Sequence, residues 1–278
     1  MGKAVIAIAV VAVVALAGAG AAIFFFTQDK TPTATILIED QNGVYFWAEG
    51  KGETVADACA KTSAGVTITM TDSSFGKYIS EINGLKEDYT TDTCYWGVYY
   101  LDGDKWVSSD VGVSSLKVSE HSTIGLFYLV TDYTTYAIKE GGPDKVTVPK
   151  VEDKKVWNGS TDGTVFAIKG ISGLYFYINS AAGETMTERF TAATSDYKIP
   201  FEVSKYGGIG TLFGIGTVKV TEEKSFYWAQ FGLVDGAWAY MSTGMKSTTA
   251  NDYKQFAIVY GDGGMGTTST PLPPIYKA

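Results

Sequence analysis

The chain has 278 residues, 30 acidic against 22 basic side chains, a formal charge of −8 and 14% aromatic residues. That balance argues against nucleic acid or anionic lipid headgroups as partners, because an acidic surface is repelled by both. A single histidine, His121, excludes a His-rich metal site.

Residues 4–26 contain no charge, Asn, Gln or Pro. As a helix rising about 1.5 Å per residue, this run reaches roughly 34 Å, enough for the ~30 Å hydrocarbon core. A cleavable signal peptide competes with that reading; its apolar stretch is only about 7–15 residues and is followed by small residues. Small residues do occupy positions 17–22, but Ile23-Phe24-Phe25-Phe26 resumes the apolar run. Residues 1–30 are therefore expected to form an uncleaved single-pass membrane anchor. Lys3 lies before the run, and Asp29 and Lys30 cancel after it, which places the remaining chain outside the cell membrane.

Beyond the anchor the sequence repeats itself. Gly43-Val44-Tyr45-Phe46-Trp47 returns as Gly173-Leu174-Tyr175-Phe176-Tyr177, and Gly52-Glu53-Thr54 as Gly183-Glu184-Thr185. Tyr95-Trp96 returns as Tyr227-Trp228, Trp106 as Trp238 and Tyr128 as Tyr260. A period this long means two whole domains rather than a solenoid. The expected boundaries are 31–134 and 161–262, with a linker at 135–160 and an extended tail at 263–278.

Within each copy an alternating β-type run comes first, at 35–38 or 164–168, and an aromatic strand follows at 44–48 or 174–178. Next the period changes. Val55, Ala58, Cys59 and Thr62 fall on one helical face, with Thr54 as N-cap and Asp57 three residues on. Thr185 and Glu188 repeat that pairing in the second copy. Strands resume at 66–71, at 95–101 and 106–108 around the turn Asp102-Gly103-Asp104-Lys105, and at 124–130, a nearly continuous apolar run suited to a buried central strand. One short helix on a mixed sheet, twice over, is an α+β arrangement.

The first copy resembles the transcobalamin-like C-terminal domain family. The resemblance rests on Gly52-Glu53-Thr54-Val55-Ala56-Asp57-Ala58, Asp72-Ser73-Ser74-Phe75-Gly76-Lys77-Tyr78-Ile79, Ile82-Asn83-Gly84-Leu85, Tyr95-Trp96-Gly97-Val98-Tyr99-Tyr100 and Trp106. The second copy matches more loosely: Tyr206-Gly207-Gly208-Ile209-Gly210 replaces the Phe-Gly-Lys-Tyr stretch. The resemblance implies a β-grasp-like fold in each copy and a domain that closes over one face of a corrinoid. It points to Ser73, Ser74, Phe75, Tyr78, Asn83, Trp96 and Trp106 as the ligand-binding set.

Enzymatic motifs are sparse. The glycine runs at 207–210 and 214–216 complete no phosphate-binding pattern. Asp102, Asp104 and Asp110 lack the spacing of an EF-hand. No catalytic residue, metal site or cofactor is expected. Cys59 and Cys94 are read either as two small buried hydrophobes or as one disulfide in the first domain's core. Asn158-Gly159-Ser160 is a glycosylation sequon at Asn158. The expectation is thus a membrane-anchored extracytoplasmic binding protein for a small molecule of the corrinoid class. The alternative is an adhesive or structural cell-surface protein that binds other proteins or envelope material.

Overall fold

The computed structural model describes residues 10–11, 24–25, 31–74, 76–221, 225–262 and 270–277. Two compact units are present, Met1–Thr31 and Pro32–Ala278. In the first, β1 (Val10–Val11) pairs antiparallel with β2 (Phe24–Phe25). This corrects the expected membrane helix. Four residues of the apolar run lie in paired strands, and the rest of the run lies outside the described residues. Among the described residues no helix is long and apolar enough to cross a membrane.

The second unit carries both copies. The first comprises β3 (Thr33–Glu39), β4 (Tyr45–Lys51), α1 (Val55–Cys59), β5 (Ile68–Ser73), β6 (Gly76–Ile82), β7 (Leu85–Lys86), β8 (Thr93–Asp102), β9 (Lys105–Ser108), β10 (Thr123–Thr131) and β11 (Ile138–Glu140). The second comprises β12 (Thr164–Lys169), β13 (Tyr175–Ser180), α2 (Met186–Asp196), β14 (Phe201–Val203), β15 (Ile209–Leu212), β16 (Ile215–Gly216), β17 (Val218–Lys219), β18 (Ser225–Val234), β19 (Ala237–Tyr240) and β20 (Gln255–Asp262).

Each copy builds one six-stranded and one three-stranded sheet. The large sheets run β4-β3-β10-β8-β9, with β11 on β10, and β13-β12-β20-β18-β17, with β19 on β18. In both, the first and last long strands lie side by side and parallel, β3 with β10 and β12 with β20. The small sheets are β5-β6-β7 and β14-β15-β16. The expected α+β class, with β-grasp-like domains behind a membrane helix, is corrected accordingly. The chain is mostly β, with 45% strand against 11% helix, built of four blade-like sheets and two short α-helices. The helix-forming run of the first copy yields only five helical residues, so sheet dominates both copies.

Local chemistry explains where the helices begin. Thr54 accepts a hydrogen bond from the Asp57 backbone N–H while the Asp57 carboxylate accepts from Thr54, and Thr185 with Glu188 does the same. Each capping box satisfies donors that a helix start otherwise leaves open.

The two copies share one interior. Ala34, Ile36 and Ile38 point from β3 into a cluster that also holds Phe166, Phe176, Phe190 and Phe256 of the second copy. Phe46 stacks on Phe176 across the junction at 5.2 Å and 14°. On the opposite face of the first sheet, Leu37, Tyr45, Trp47, Tyr99, Phe127 and Leu129 form a second cluster, covered by Val146, Val148, Val151 and Val156 of the linker. The linker is thus a strap over the first sheet, and residues 145–148 form no strand. The C-terminal tail plays the same part for the second copy: Tyr177 Oη donates to the Pro274 carbonyl and Trp238 Nε1 to the Pro273 carbonyl.

Candidate ligand-binding groove on the first copy

The aromatics that mark the repeat are largely structural clamps. Trp96 is buried on β8, and its Nε1 donates to the Leu85 carbonyl at 3.2 Å. Its counterpart Trp228 donates to the Ile215 carbonyl at 2.8 Å. Tyr128 and Tyr260 reach the same small sheets, through Oη to the carbonyls of Lys86 at 2.6 Å and Gly216 at 2.9 Å. Each Trp packs on its Tyr, with ring centroids 5.2 and 5.0 Å apart. The pair therefore ties the three-stranded sheet to the six-stranded one in both copies. Buried Trp and Tyr find polar partners in this way because an unpaired N–H or O–H in the interior is costly.

Asn83 is likewise structural. It is 1% exposed and adopts φ +41° at the β6–β7 turn. Its Oδ1 accepts from the Thr67 N–H at 2.7 Å, and its Nδ2 donates to the carbonyls of Gly65 at 3.0 Å and Tyr175 at 2.8 Å. The last bond crosses into the second copy. Every hydrogen-bonding direction of the amide except one oxygen lone pair is used inside the protein.

The remaining members of the expected set do not converge. Ser73 and Ser74 are exposed at the β5–β6 hairpin, and Ser73 Oγ donates to the Gly76 carbonyl at 2.6 Å. Phe75 lies outside the described residues. Tyr78 is exposed on β6. Trp106 is half-buried on β9, edge-on to Phe127 at 5.6 Å. Asn158 is exposed, with its Oδ1 accepting from the Ser160 N–H at 3.0 Å. Cys59 and Cys94 are not bridged in the structure. Cys59 is enclosed on α1, with its thiol pushed up to about 12 by burial. Cys94 on β8 lies against the Tyr128 hydroxyl instead. His121 packs on the Tyr100 ring with centroids 3.8 Å apart. No group of three or more His, Cys, Asp or Glu side chains is placed to hold a metal ion among the described residues.

Two spaces lie between the copies, and the larger, about 330 Å³, is lined by Asn42 and Tyr45 of the first copy, Val146 of the linker and Pro200 and Phe213 of the second. The smaller, lined by Trp47, Trp157, Phe176 and Tyr177, has a volume of about 20 Å³, room for about one water. Larger grooves flank the strapped face of the first sheet. One of about 490 Å³ runs beside Trp106, Leu101, Pro143 and Val148, with Asp104, Lys150 and Glu152 on its rim. Another of about 440 Å³ is lined by Tyr95, Tyr99, Tyr136, Ser108, Ser109 and Leu129, over the backbone of residues 95–98.

The second groove has two features beyond shape. First, the β8 ladder is interrupted along it. Cys94 exchanges backbone hydrogen bonds with Asp88 at 2.7 and 2.9 Å, and the Val98 carbonyl accepts from Ser109 at 2.9 Å. Between them Trp96, two residues from each and opposite Tyr128 on β10, turns its N–H and C=O the same way, away from β10. Among the described residues no sheet partner meets them.

Second, the tyrosines continue outward. Glu87 accepts from Tyr89 Oη at 3.0 Å and from Tyr78 Oη at 3.5 Å. Tyr89 is pushed up to about 12 by burial and by the Glu87 carboxylate, with Tyr95 and Tyr78 close enough to add to the shift. On the other side Tyr136 is 75% exposed at φ +57°, an unusual conformation for a large side chain. Its turn is held by Asp132, whose carboxylate accepts from the backbone of Thr134 and Thr135 and pairs with Lys139 at 3.3 Å. Those hydrogen bonds lower the Asp132 carboxyl to about 2. Tyr95 and Tyr99 lie within the family-like motif at 95–100, whereas Tyr89 and Tyr136 lie outside every quoted motif and no sequence signal pointed to them.

Comparison with protein-family models, with curated proteins and with solved structures finds no match to this chain.

Proposed function

We propose that this chain is a binding protein without catalytic activity, and that its ligand surface is the tyrosine-lined groove of the first copy. The observation that carries this reading is the convergence of Tyr95 and Tyr136 on one open volume of about 440 Å³, with Ser108 and Ser109 beside them and the buried Tyr99 beneath. Flat rings with polar edges suit a large planar ligand rimmed by hydrogen-bonding groups. A corrinoid is such a ligand and is the class that the family resemblance implies. The groove then covers part of one ligand face. The test is visible absorbance and native mass spectrometry of the protein titrated with cobalamin. A one-to-one complex supports the reading; no complex at high micromolar cobalamin removes the corrinoid.

A second reading is favoured by the interrupted β8 ladder. Backbone groups that face a groove without sheet partners can take hydrogen bonds from an extended segment of another protein. This is the adhesive alternative. It predicts protection of the Trp96 amide from hydrogen exchange when a protein partner binds, with cobalamin having no effect there.

A further inference from the structure

The tryptophan on the short strand beside β8 or β18 is used differently in the two copies. Trp106 and Trp238 occupy the same register, each opposite a leucine of the long strand, Leu101 and Leu233. In the second copy Trp238 seats the C-terminal tail. Its Nε1 donates to the Pro273 carbonyl at 2.8 Å, and Tyr177 Oη donates to the next carbonyl, of Pro274, at 2.9 Å. Pro273 is buried there, and Leu272 packs against the core. Pro271-Leu272-Pro273-Pro274 belongs to no helix or strand, so its carbonyls are open to side-chain donors. Aromatic grooves hold proline-rich chain on the same terms, because such chain is extended before it binds and its backbone is free of internal hydrogen bonds.

The corresponding seat of the first copy is open. The strap passes Trp106 and leaves beside it the groove of about 490 Å³, within the range of about 300–1,000 Å³ of sites that enclose a ligand. Its walls are largely apolar, with Leu101, Trp106, Pro143, Val148 and Pro149. The indole is held in place from below. Its ring is edge-on to Phe127, and a Cβ on Gly125 would stand 2.9 Å from Trp106 Cζ3. The indole N–H groups of Trp96, Trp157, Trp228 and Trp238 each donate to an acceptor of the protein. Among the described residues no acceptor meets Trp106 Nε1.

We infer that the Trp106 groove is a docking site for a proline-rich, extended segment of another protein, held as the tail is held on Trp238. Prolyl rings pack against Leu101, Pro149 and the indole, and one backbone carbonyl accepts from Trp106 Nε1. The groove shares no lining residue with the tyrosine groove, so the two sites stand or fall separately. Asp104 and Glu152 outnumber Lys150 on its rim, which disfavours an acidic segment.

The test titrates the full chain with a synthetic peptide of residues 270–277 and follows the indole N–H resonances by ¹⁵N NMR. The Trp106 resonance is expected to shift in a saturable way. Trp238 is expected to stay in place, because the tethered tail holds its seat at high effective concentration. A peptide with Pro271, Pro273 and Pro274 replaced by alanine loses its preorganisation and is expected to leave Trp106 unmoved. Trp106→Phe keeps a ring and loses the N–H; it is expected to weaken binding of the fluorescently labelled peptide by roughly two- to tenfold. Cobalamin is expected to leave the Trp106 resonance unmoved. A Trp106 indole that does not respond to peptide at up to about 1 mM overturns the inference, as does a response confined to Trp238. Equal binding of the alanine peptide, or unchanged affinity in Trp106→Phe, overturns it too. A Trp106 shift produced by cobalamin instead gives the groove to the small molecule and overturns it equally.

Discussion

Asn83 lies in a family-like motif, but its contacts make it a joint between the two copies, and the two roles predict different outcomes for Asn83→Ala. The substitution deletes three hydrogen bonds, to Thr67 N–H and to the carbonyls of Gly65 and Tyr175. At about 0.5–1.5 kcal/mol net for each, the loss is roughly 1.5–4.5 kcal/mol. Alanine must also hold φ +41°, which asparagine tolerates and which costs about 1–2 kcal/mol for a residue with an ordinary Cβ. The expected destabilisation is about 2.5–6.5 kcal/mol, read as a lowered urea midpoint. Asn83→Gly loses the same bonds without the left-handed penalty, so it is expected to be about 1 kcal/mol more stable than the alanine variant. If Asn83→Ala unfolds within about 1 kcal/mol of the parent, the joint is not what holds the turn. A glycine variant no better than alanine removes the backbone part of the reasoning.

The burial of Glu39 predicts a pH dependence of definite sign. Its carboxyl is raised from 4.5 to about 9, by burial first and then by Asp40. Between those values the folded chain keeps a proton that the unfolded chain releases, so this group's stabilisation is full at low pH and is lost as pH rises towards 9. The slope approaches about 1.4 kcal/mol per pH unit at most. Urea midpoints between pH 6 and 8 are expected to fall more steeply for the parent than for Glu39→Gln; equal slopes contradict it. Tyr128→Phe and Tyr260→Phe each strand one carbonyl, of Lys86 and Gly216, and each is expected to cost about 1–3 kcal/mol. A loss in only one copy would show that the clamp is not shared. Thiol titration of the native protein is expected to find two reduced cysteines, with Cys59 reacting only after unfolding; a linked 59–94 peptide under non-reducing conditions contradicts this.

Much of the strand framework was legible because its signals are local. The Thr54–Asp57 and Thr185–Glu188 capping boxes, the hairpin around Gly103 and the apolar run of β10 are each read from a few adjacent residues, and the repeat compared two versions of the same framework. The N-terminal run misled because length and hydropathy describe a spanning helix whatever the chain does, and Val10–Val11 pairs with Phe24–Phe25 instead. The site was less legible for a different reason. Alternation along β8 separates Trp96 from Tyr95 and Tyr99 but does not say which face is covered, and that is decided by the linker valines and by the small sheet. A motif residue such as Trp96 or Asn83 satisfies a fold requirement and a ligand requirement with the same chemistry. Glu39 closes an ordinary alternating strand, and only its enclosure under the strap distinguishes it.

The division between clamp and groove can be tested on two variants, Tyr136→Ala and Trp96→Phe, by measuring urea stability and cobalamin affinity on both. Tyr136 is 75% exposed in the groove turn, whereas Trp96 is 4% exposed and bonded to Leu85. Tyr136→Ala is expected to weaken cobalamin binding by about 1–2 kcal/mol, roughly five- to thirtyfold, with stability nearly unchanged. Trp96→Phe is expected to lower stability by about 1–3 kcal/mol and to leave the affinity of the folded protein intact. Affinity lost in Trp96→Phe but kept in Tyr136→Ala would contradict this division and return the ligand to the motif residues.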